Sequence, residues 1–164
     1  TRFRNVTGVQ TCALPILRSR NIEFDIFGLK PRTLFDPYFE YVNVSDYVIP
    51  KLLEIKMVSG AFQIGETVKS DPHFTSGFIK FRLCTPNHKT GPYNLPEEIY
   101  TSNPYNRTLL ETTYSQSSTV LNVDTRSLQL TTEDFYGSVS PGMKLIGEKS
   151  GAVATVIEIG RAHV

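Results

Sequence analysis

The chain has 164 residues, of which 17 are Lys or Arg and 16 are Asp or Glu, so its formal net charge is +1. This balance gives no electrostatic reason to expect a nucleic acid or an anionic membrane surface as a partner. No apolar run approaches the ~20 residues that span a bilayer, which argues against a membrane protein. With 8 Tyr, 10 Phe, 10 Pro and 11 Gly, the composition is typical of a folded chain of strands and loops and argues against a helical bundle.

Both ends of the chain resemble translated sequencing adapter. Residues 6–16 (VTGVQTCALPI) match a common short-read adapter codon by codon, Thr1-Arg2 fit the oligonucleotide upstream of it, and residues 3–5 cover an index barcode. Residues 158–164 (EIGRAHV) match the same adapter on the opposite strand. We therefore predict that 1–16 and 158–164 are non-native and that 17–157 is a segment of a longer protein. The alternative, a natural signal-like segment, lacks the layout of a signal peptide.

Residues 17–85 are predicted to form a β-sandwich-like module. In residues 20–27 the apolar Ile22, Phe24 and Ile26 alternate with polar residues, which is the period of a strand with one buried face. Residues 28–33 then have the composition of a turn. Further strands are predicted at 38–44, 52–58, 61–68 and 78–84, the second with Leu53, Ile55 and Met57 on one face.

Residues 86–116 are rich in Pro, Asn and Tyr and are predicted to be a loop or linker that ends the first module. Residues 117–157 are predicted to be a partial second β-module, a truncated small barrel or a hairpin. Its strands are predicted at 119–123, 128–130, 143–146 and 152–157, with turns at Pro141-Gly142 and Ser150-Gly151. The predicted fold class is all-β. Ser-Gly-Ala recurs at 59–61 and 150–152 but is too short to define a repeat.

The sequence offers no catalytic or cofactor motif. It contains no Gly-x-Ser-x-Gly, His-Glu-x-x-His, phosphate-binding glycine loop or Cys-x-x-Cys, so we expect no enzyme activity and no cofactor. Asp71, His73 and His88 have side chains suited to zinc, but two surface loop histidines are the favoured interpretation. Cys84, the one cysteine of residues 17–157, has no partner for an internal disulfide and is predicted to be buried.

A cluster of aromatic and amide side chains gives one candidate binding site. Tyr93, Asn94, Tyr100, Tyr105 and Tyr114 lie in or beside the predicted loop. Tyrosines interleaved with amides stack on sugar rings and hydrogen-bond to hydroxyl groups, so a glycan contact is one hypothesis. The alternative is that these tyrosines anchor the loop to the sheet and leave their hydroxyls in solvent.

Stretches spread over residues 18–157 resemble virion structural proteins of contractile-tailed bacteriophages, notably those of cyanobacteria. The matching stretches are 18–24 (RSRNIEF), 28–31 (GLKP), 38–41 (YFEY), 62–68 (FQIGETV), 81–83 (FRL), 86–94 (PNHKTGPYN), 121–125 (LNVDT), 142–147 (GMKLIG) and 150–156 (SGAVATV). The family implies no catalytic residues. Glu40-Tyr41 stands where the family leads us to expect an Asp-Gly turn, so the local hairpin is expected to differ. Residues 28–33 also resemble the loop before a tyrosine corner in fibronectin type III sandwiches, with Phe35 in place of the tyrosine.

These observations lead to three hypotheses. The first is a non-enzymatic structural component of a phage tail, baseplate or tail fibre, made in the bacterial cytoplasm and located in the virion. It would assemble with other virion proteins and with itself. The second is a receptor- or glycan-binding module that uses the aromatic loop at 93–114. The third is an enzyme such as a tail depolymerase, whose carboxylate pair would lie outside this segment.

Overall fold

The computed structural model describes residues 36–44, 48–73, 78–89, 98–103, 106–129 and 139–159. The strand predicted at 20–27, the turn at 28–33 and the adapter-like residues 1–16 lie outside this range. The described residues form strands and one short 3₁₀ helix, so the predicted all-β class is confirmed. The strands are β1 (Tyr38–Phe39), β2 (Val42–Asn43), β3 (Leu52–Ser59), β4 (Thr67–Ser70), β5 (Lys80–Leu83), β6 (Val120–Asp124), β7 (Lys144–Gly147) and β8 (Val153–Ile159), with the 3₁₀ helix at Thr125–Gln129.

Six of these strands close into an antiparallel barrel in the order β3-β6-β5-β4-β7-β8. Alternate residues of each strand point inward and form one hydrophobic core, as the period of two requires. Leu53 and Ile55 of β3 and Phe81 and Leu83 of β5 are at most 1% exposed. Because the ring is closed, the barrel strands have no unpaired edge along which chains could aggregate.

The barrel replaces the predicted sandwich followed by a second module. Three of its strands come from residues 17–85 and three from residues 117–157, and β3 pairs with both β6 and β8. Strands assigned to separate modules therefore share one core. The adapter-like boundary predicted at residue 157 falls within β8, whose backbone at positions 158 and 159 still pairs with β3.

Most strand predictions in the barrel are confirmed, namely those at 52–58, 78–84, 119–123, 143–146 and 152–157. Three others were wrong in extent or type. Residues 38–44 form a tight hairpin instead of one strand, and 61–66 precede β4 because the chain turns at Gly65, where φ is 78°. Residues 125–129 are a 3₁₀ helix. The Ser127 hydroxyl of this helix accepts the Arg82 N–H at 3.0 Å and donates to the Asp124 carbonyl at 2.6 Å, so it bridges the last residue pair of β5 and β6.

The two halves of the barrel are related by an internal twofold. Exchanging β3 with β6, β4 with β7 and β5 with β8 leaves the order of strands around the ring unchanged. Leu53 and Leu121 pair with each other where β3 meets β6. Backbone hydrogen bonds occur in equivalent pairs: Gly65 N to Leu83 O with Gly142 N to Val156 O, Leu83 N to Glu66 O with Val156 N to Met143 O, and Asp71 N to Lys144 O with Glu148 N to Thr67 O. The barrel is thus two three-stranded units with unequal loops.

Candidate functional site

The hairpin of β1 and β2 presents a group of exposed apolar side chains. Tyr41 is 100% exposed, and the exposed fractions of Tyr38, Phe39 and Val42 are 65%, 63% and 63%. Apolar side chains concentrated on a short element in this way are typical of contact surfaces, because burying them against a partner is favourable. We name these four residues the hairpin patch.

The turn that joins β1 to β2 is strained. Glu40 and Tyr41 have φ values of 47° and 70°, both in the left-handed region. Positive φ at both central residues is what a type I′ turn requires, and Asn-Gly or Asp-Gly usually supplies it. The hairpin therefore keeps a two-residue turn although it lacks the expected Asp-Gly. A non-glycine residue in this region costs about 1 kcal/mol, so the exposed ring of Tyr41 does not serve the stability of its own turn.

The charged residues within the hairpin are of one sign. Residues 36–44 contain the acidic Asp36 and Glu40, both exposed, and no Lys or Arg. The hairpin therefore offers apolar contact area flanked by two carboxylates. An apolar surface edged with basic side chains would complement it.

Four of the five residues predicted for a glycan contact do not form a site that the structure describes. Tyr93, Asn94 and Tyr105 lie outside the described residues. Tyr100 is partly buried, and its N–H donates to the Asn87 carbonyl at 2.7 Å.

Tyr114, the fifth, is buried with only 8% exposed, in line with the alternative that the tyrosines anchor the loop to the sheet. Its hydroxyl donates to the Cys84 carbonyl at 2.7 Å and accepts the N–H of Asn122 at 3.1 Å. Its ring meets that of Phe62 nearly edge to face, with centroids 6.4 Å apart. Burial raises the pKa of the Tyr114 hydroxyl well above its ordinary value. Tyr114 therefore anchors the loop, with its hydroxyl bonded inside the protein rather than left in solvent.

Asn122 holds the turn at residues 85–89 against β6. Its side-chain amide donates to the carbonyl oxygens of Pro86, at 3.1 Å, and His88, at 2.6 Å. All five residues of β6 are buried, so its outer face is covered as well as its inner face. The start of segment 86–116, predicted as a loop or linker, is thus held against the outer face of the barrel at β6.

The residues considered for zinc do not form a metal site. His73 is exposed and donates its N–H to Asp71 Oδ1 at 3.0 Å, whereas His88 is fully buried. The expectation of two surface histidines is therefore corrected for His88. Within the described ranges, no group of three or more His, Cys, Asp or Glu side chains is arranged to hold a metal ion.

Cys84 is fully buried at the end of β5, which confirms its predicted position. The Lys51 ammonium donates to Cys84 Sγ at 3.5 Å and to the Val123 carbonyl at 2.8 Å. Burial raises the pKa of the Cys84 thiol to about 11, although the nearby Lys51 charge opposes this effect. The thiol is therefore protonated at neutral pH and is a poor nucleophile.

Glu66 is a buried carboxylate that the sequence analysis did not single out. Its Oε1 accepts from Gln63 N at 2.5 Å and Ser150 Oγ at 2.8 Å, and its Oε2 accepts from the N–H groups of Lys149 and Ser150 at 3.1 and 2.9 Å. A Cβ on Gly147 would lie 2.8 Å from Glu66 Oε2. Glu66 thus secures the turn between β7 and β8. The sequence indicated its burial only through its place in the alternation with Val68 and Ser70.

No family model matches the chain, and neither a curated protein nor a solved structure was found to match it. No helix in the described part of the chain has the length and apolar character needed to cross a membrane. The hairpin patch is accordingly the candidate functional site on the evidence of its own geometry.

Proposed function

We propose that the chain is a structural component of a tailed-phage virion, in the tail, baseplate or tail fibre, and acts through protein–protein assembly rather than catalysis. The observation that carries this proposal is the hairpin patch, where four large apolar side chains are 63–100% exposed on one hairpin. Burial of such side chains against a partner provides most of the energy of a protein–protein contact. The resemblance of residues 18–157 to virion structural proteins supports the same function.

The barrel supports an assembly role in a second way. A closed sheet holds its shape without contributing unpaired edges to chance association, and the exposed hairpin is the contact surface of this proposal. The near-balanced charge of the chain permits dense packing of copies without strong mutual repulsion.

Peptide mass spectrometry of gradient-purified phage particles from the source population tests this proposal. We expect peptides from residues 17–157 in the particles, in constant proportion to those of other tail proteins across the gradient. Their absence from intact particles would refute a virion role.

A second candidate function, glycan binding, is favoured by a shallow groove of about 260 Å³ beside β6. Its lining includes Asn106, Thr108 and Ser117, which supply amide and hydroxyl groups, and the apolar Leu109 and Leu110. Apolar area combined with a few polar groups is the usual composition of a small-ligand site.

Substitution of two tyrosines of the aromatic loop at 93–114, neither of which lines this groove, tests whether that loop binds glycan. Tyr93→Ala and Tyr105→Ala should abolish binding to host surface polysaccharide while leaving the melting curve nearly unchanged. Undiminished binding by both variants would exclude the aromatic loop as a glycan site.

A further inference from the structure

The two three-stranded units of the barrel are interleaved. We call β3, β4 and β5 the first unit and β6, β7 and β8 the second unit. Of the six strand pairs in the ring, four join one unit to the other, namely β3–β6, β5–β6, β4–β7 and β3–β8. In the ring, β3 pairs with β6 and β8, and β6 pairs with β3 and β5. Each unit therefore has one strand whose two partners in the ring belong to the other unit.

The hydrophobic core is shared between the units in the same way. Ile55 of the first unit and Val156 of the second are paired where β3 meets β8, and each is 1% exposed. Leu53 and Leu121 are paired where β3 meets β6, and both are fully buried. A single unit would leave these side chains in water, which is unfavourable. Each unit therefore needs a complementary unit, and the same contacts form whether that unit belongs to the same chain or to a second copy.

The connection between the two units is long. Residues 84–119 join β5 to β6, and these 36 residues exceed every connection within a unit, the longest of which is 125–143. A chain of this length spans at most about 120 Å when extended, whereas a compact domain of this size has a radius of gyration of only about 13–15 Å. The connection is therefore long enough to join units that lie in two neighbouring barrels.

Hydrogen bonds of the connection lie on either side of Thr101, which is exposed. On the side of β5, the Tyr100 N–H donates to the Asn87 carbonyl at 2.7 Å. On the side of β6, the Asn103 side-chain amide donates to the Thr119 hydroxyl at 3.0 Å. A crossover between copies at Thr101 keeps both of these bonds, because the first stays with its own β5 and the second with its own β6.

Bonds between the two sides are ones that a second copy can supply. The Tyr114 hydroxyl donates to the Cys84 carbonyl at 2.7 Å, and the Asn122 side-chain amide donates to the His88 carbonyl at 2.6 Å. After an exchange at Thr101, Tyr114 and Asn122 of one copy make these bonds to Cys84 and His88 of the other. The exchange thus keeps the bonds and changes only which copy supplies each partner.

We propose that two copies of this chain exchange units, so that each of two barrels combines β3, β4 and β5 of one copy with β6, β7 and β8 of the other. The partner is a second copy, and the surface it fits is the whole interface between the units. Exchange of equivalent elements is a low-cost route to a dimer. Because β3 lies between two strands of the other unit, the barrel must open before units exchange, so monomer and dimer interconvert slowly once folded. The inference goes beyond the proposed function and depends on neither the hairpin patch nor a virion role.

Refolding two core variants together tests the exchange directly in the full 164-residue chain. Ile55→Asp alters the first unit and Val156→Asp the second. Each places a carboxylate among apolar core side chains, so neither variant alone should form the barrel. In the mixture, an exchanged pair combines the unaltered first unit of one copy with the unaltered second unit of the other. The native amide signals in the NMR spectrum should then return to about half the intensity given by the unmodified chain at the same total concentration.

A mixture of two variants altered in the same unit is the matched control. Ile55→Asp refolded with Leu53→Asp leaves every first unit altered, so no exchange produces an intact barrel and native signals should stay absent. Native signals as strong in this control as in the test mixture would show that recovery has another cause and would overturn the exchange. A test mixture without native signals would overturn it as well.

Refolding of the unmodified chain tests the exchange without altered side chains. Pairing between copies is bimolecular, so while monomer predominates, a tenfold higher concentration during refolding should raise the ratio of dimer to monomer about tenfold. Size-exclusion chromatography should show that the dimer persists after dilution, because its barrels must open before the copies separate. A dimer that dissociates at once on dilution is a surface contact, and either that result or a monomer at every refolding concentration contradicts the exchange. Neither result affects the proposed function, whose support is the hairpin patch.

Discussion

Glu66 accepts four hydrogen bonds, three from backbone N–H groups and one from the Ser150 hydroxyl. Each carboxylate oxygen of Glu66 accepts at least one backbone N–H. In a glutamine one of these oxygens becomes an NH₂ group, so in either orientation of the amide a donor would face a backbone N–H donor. We expect Glu66→Gln to lower the free energy of unfolding by about 2–3 kcal/mol, measured by urea denaturation. Glu148→Gln is the matched control. Its carboxylate contacts only partly exposed lysines, so a change beyond about 1 kcal/mol is not expected. Equal effects of the two substitutions would contradict this role of Glu66.

Tyr114 satisfies two buried backbone groups with one hydroxyl. In Tyr114→Phe the ring still fills its place against Phe62, but the carbonyl of Cys84 and the N–H of Asn122 lose their partner. We expect a loss of about 1–3 kcal/mol in the free energy of unfolding. Tyr41→Phe, which removes a hydroxyl from a fully exposed ring, should change stability by less than about 0.5 kcal/mol. A Tyr114→Phe variant as stable as the unmodified chain would mean that solvent replaces the lost bonds.

The buried thiol of Cys84 makes stability depend on pH in the alkaline range. Burial raises its pKa to about 11 in the folded protein, above the ordinary value of 9.0. Between these values the unfolded chain loses the proton and the folded chain keeps it, so the free energy of unfolding falls as pH rises. We expect the melting temperature of the unmodified chain to fall more steeply between pH 8.5 and about 10.5 than that of Cys84→Ala. Parallel curves for the two proteins would show that the thiol does not titrate in this way.

At the scale of elements, the hairpin depends on a turn that its sequence disfavours. Replacing Glu40-Tyr41 by Asn-Gly should stabilise the hairpin by about 1 kcal/mol, because glycine tolerates positive φ. The Val44 N–H closes the hairpin through a 2.9 Å bond to the Pro37 carbonyl. Its hydrogen exchange should therefore slow about fivefold, as measured by NMR. The same exchange rate in both proteins would show that the turn is not strained.

The sequence predicted the strands of the barrel better than their arrangement. Alternation placed Leu53 and Ile55 on a buried face, since burial of one face imposes a period of two wherever the strand lies in a sheet. It carries no information on which strands pair. The segment 86–116 suggested a boundary between modules, whereas Asn122 holds part of it against the barrel.

The internal twofold was not visible in the sequence. Equivalent positions make the same backbone hydrogen bonds but seldom carry the same residue type. Gly65 and Gly142 are one equivalent pair in which the residue type is the same. Loops of different length separate the equivalent strands, so equivalent residues are not a constant number of positions apart in the sequence. The Ser-Gly-Ala recurrence is unrelated to the twofold, because 59–61 begins at the end of β3 and 150–152 lies between β7 and β8.

The hairpin patch was partly predictable. Tyr38-Phe39 and Tyr41-Val42 flank Glu40 without the alternation of a half-buried strand, and this irregularity marks a turn with apolar residues on both sides. The exposure of these rings could not be predicted, since the same composition suits a buried strand. Cys84 was placed correctly because a lone cysteine is most often buried, whereas the burial of Tyr114 depends on contacts from distant segments.

For the whole molecule, we propose that the barrel acts as a support and the hairpin as the contact surface. The decisive measurement is the incorporation of the chain into virions, by quantitative peptide mass spectrometry of particles purified from infected cells that supply either the unmodified chain or a variant. We expect the unmodified chain and Leu109→Ser in particles at equal levels, and Phe39→Ser with Tyr41→Ser at a level lower by about tenfold or more. Absence of the unmodified chain from the particles, or equal incorporation of the hairpin variant, would contradict assembly through the hairpin patch.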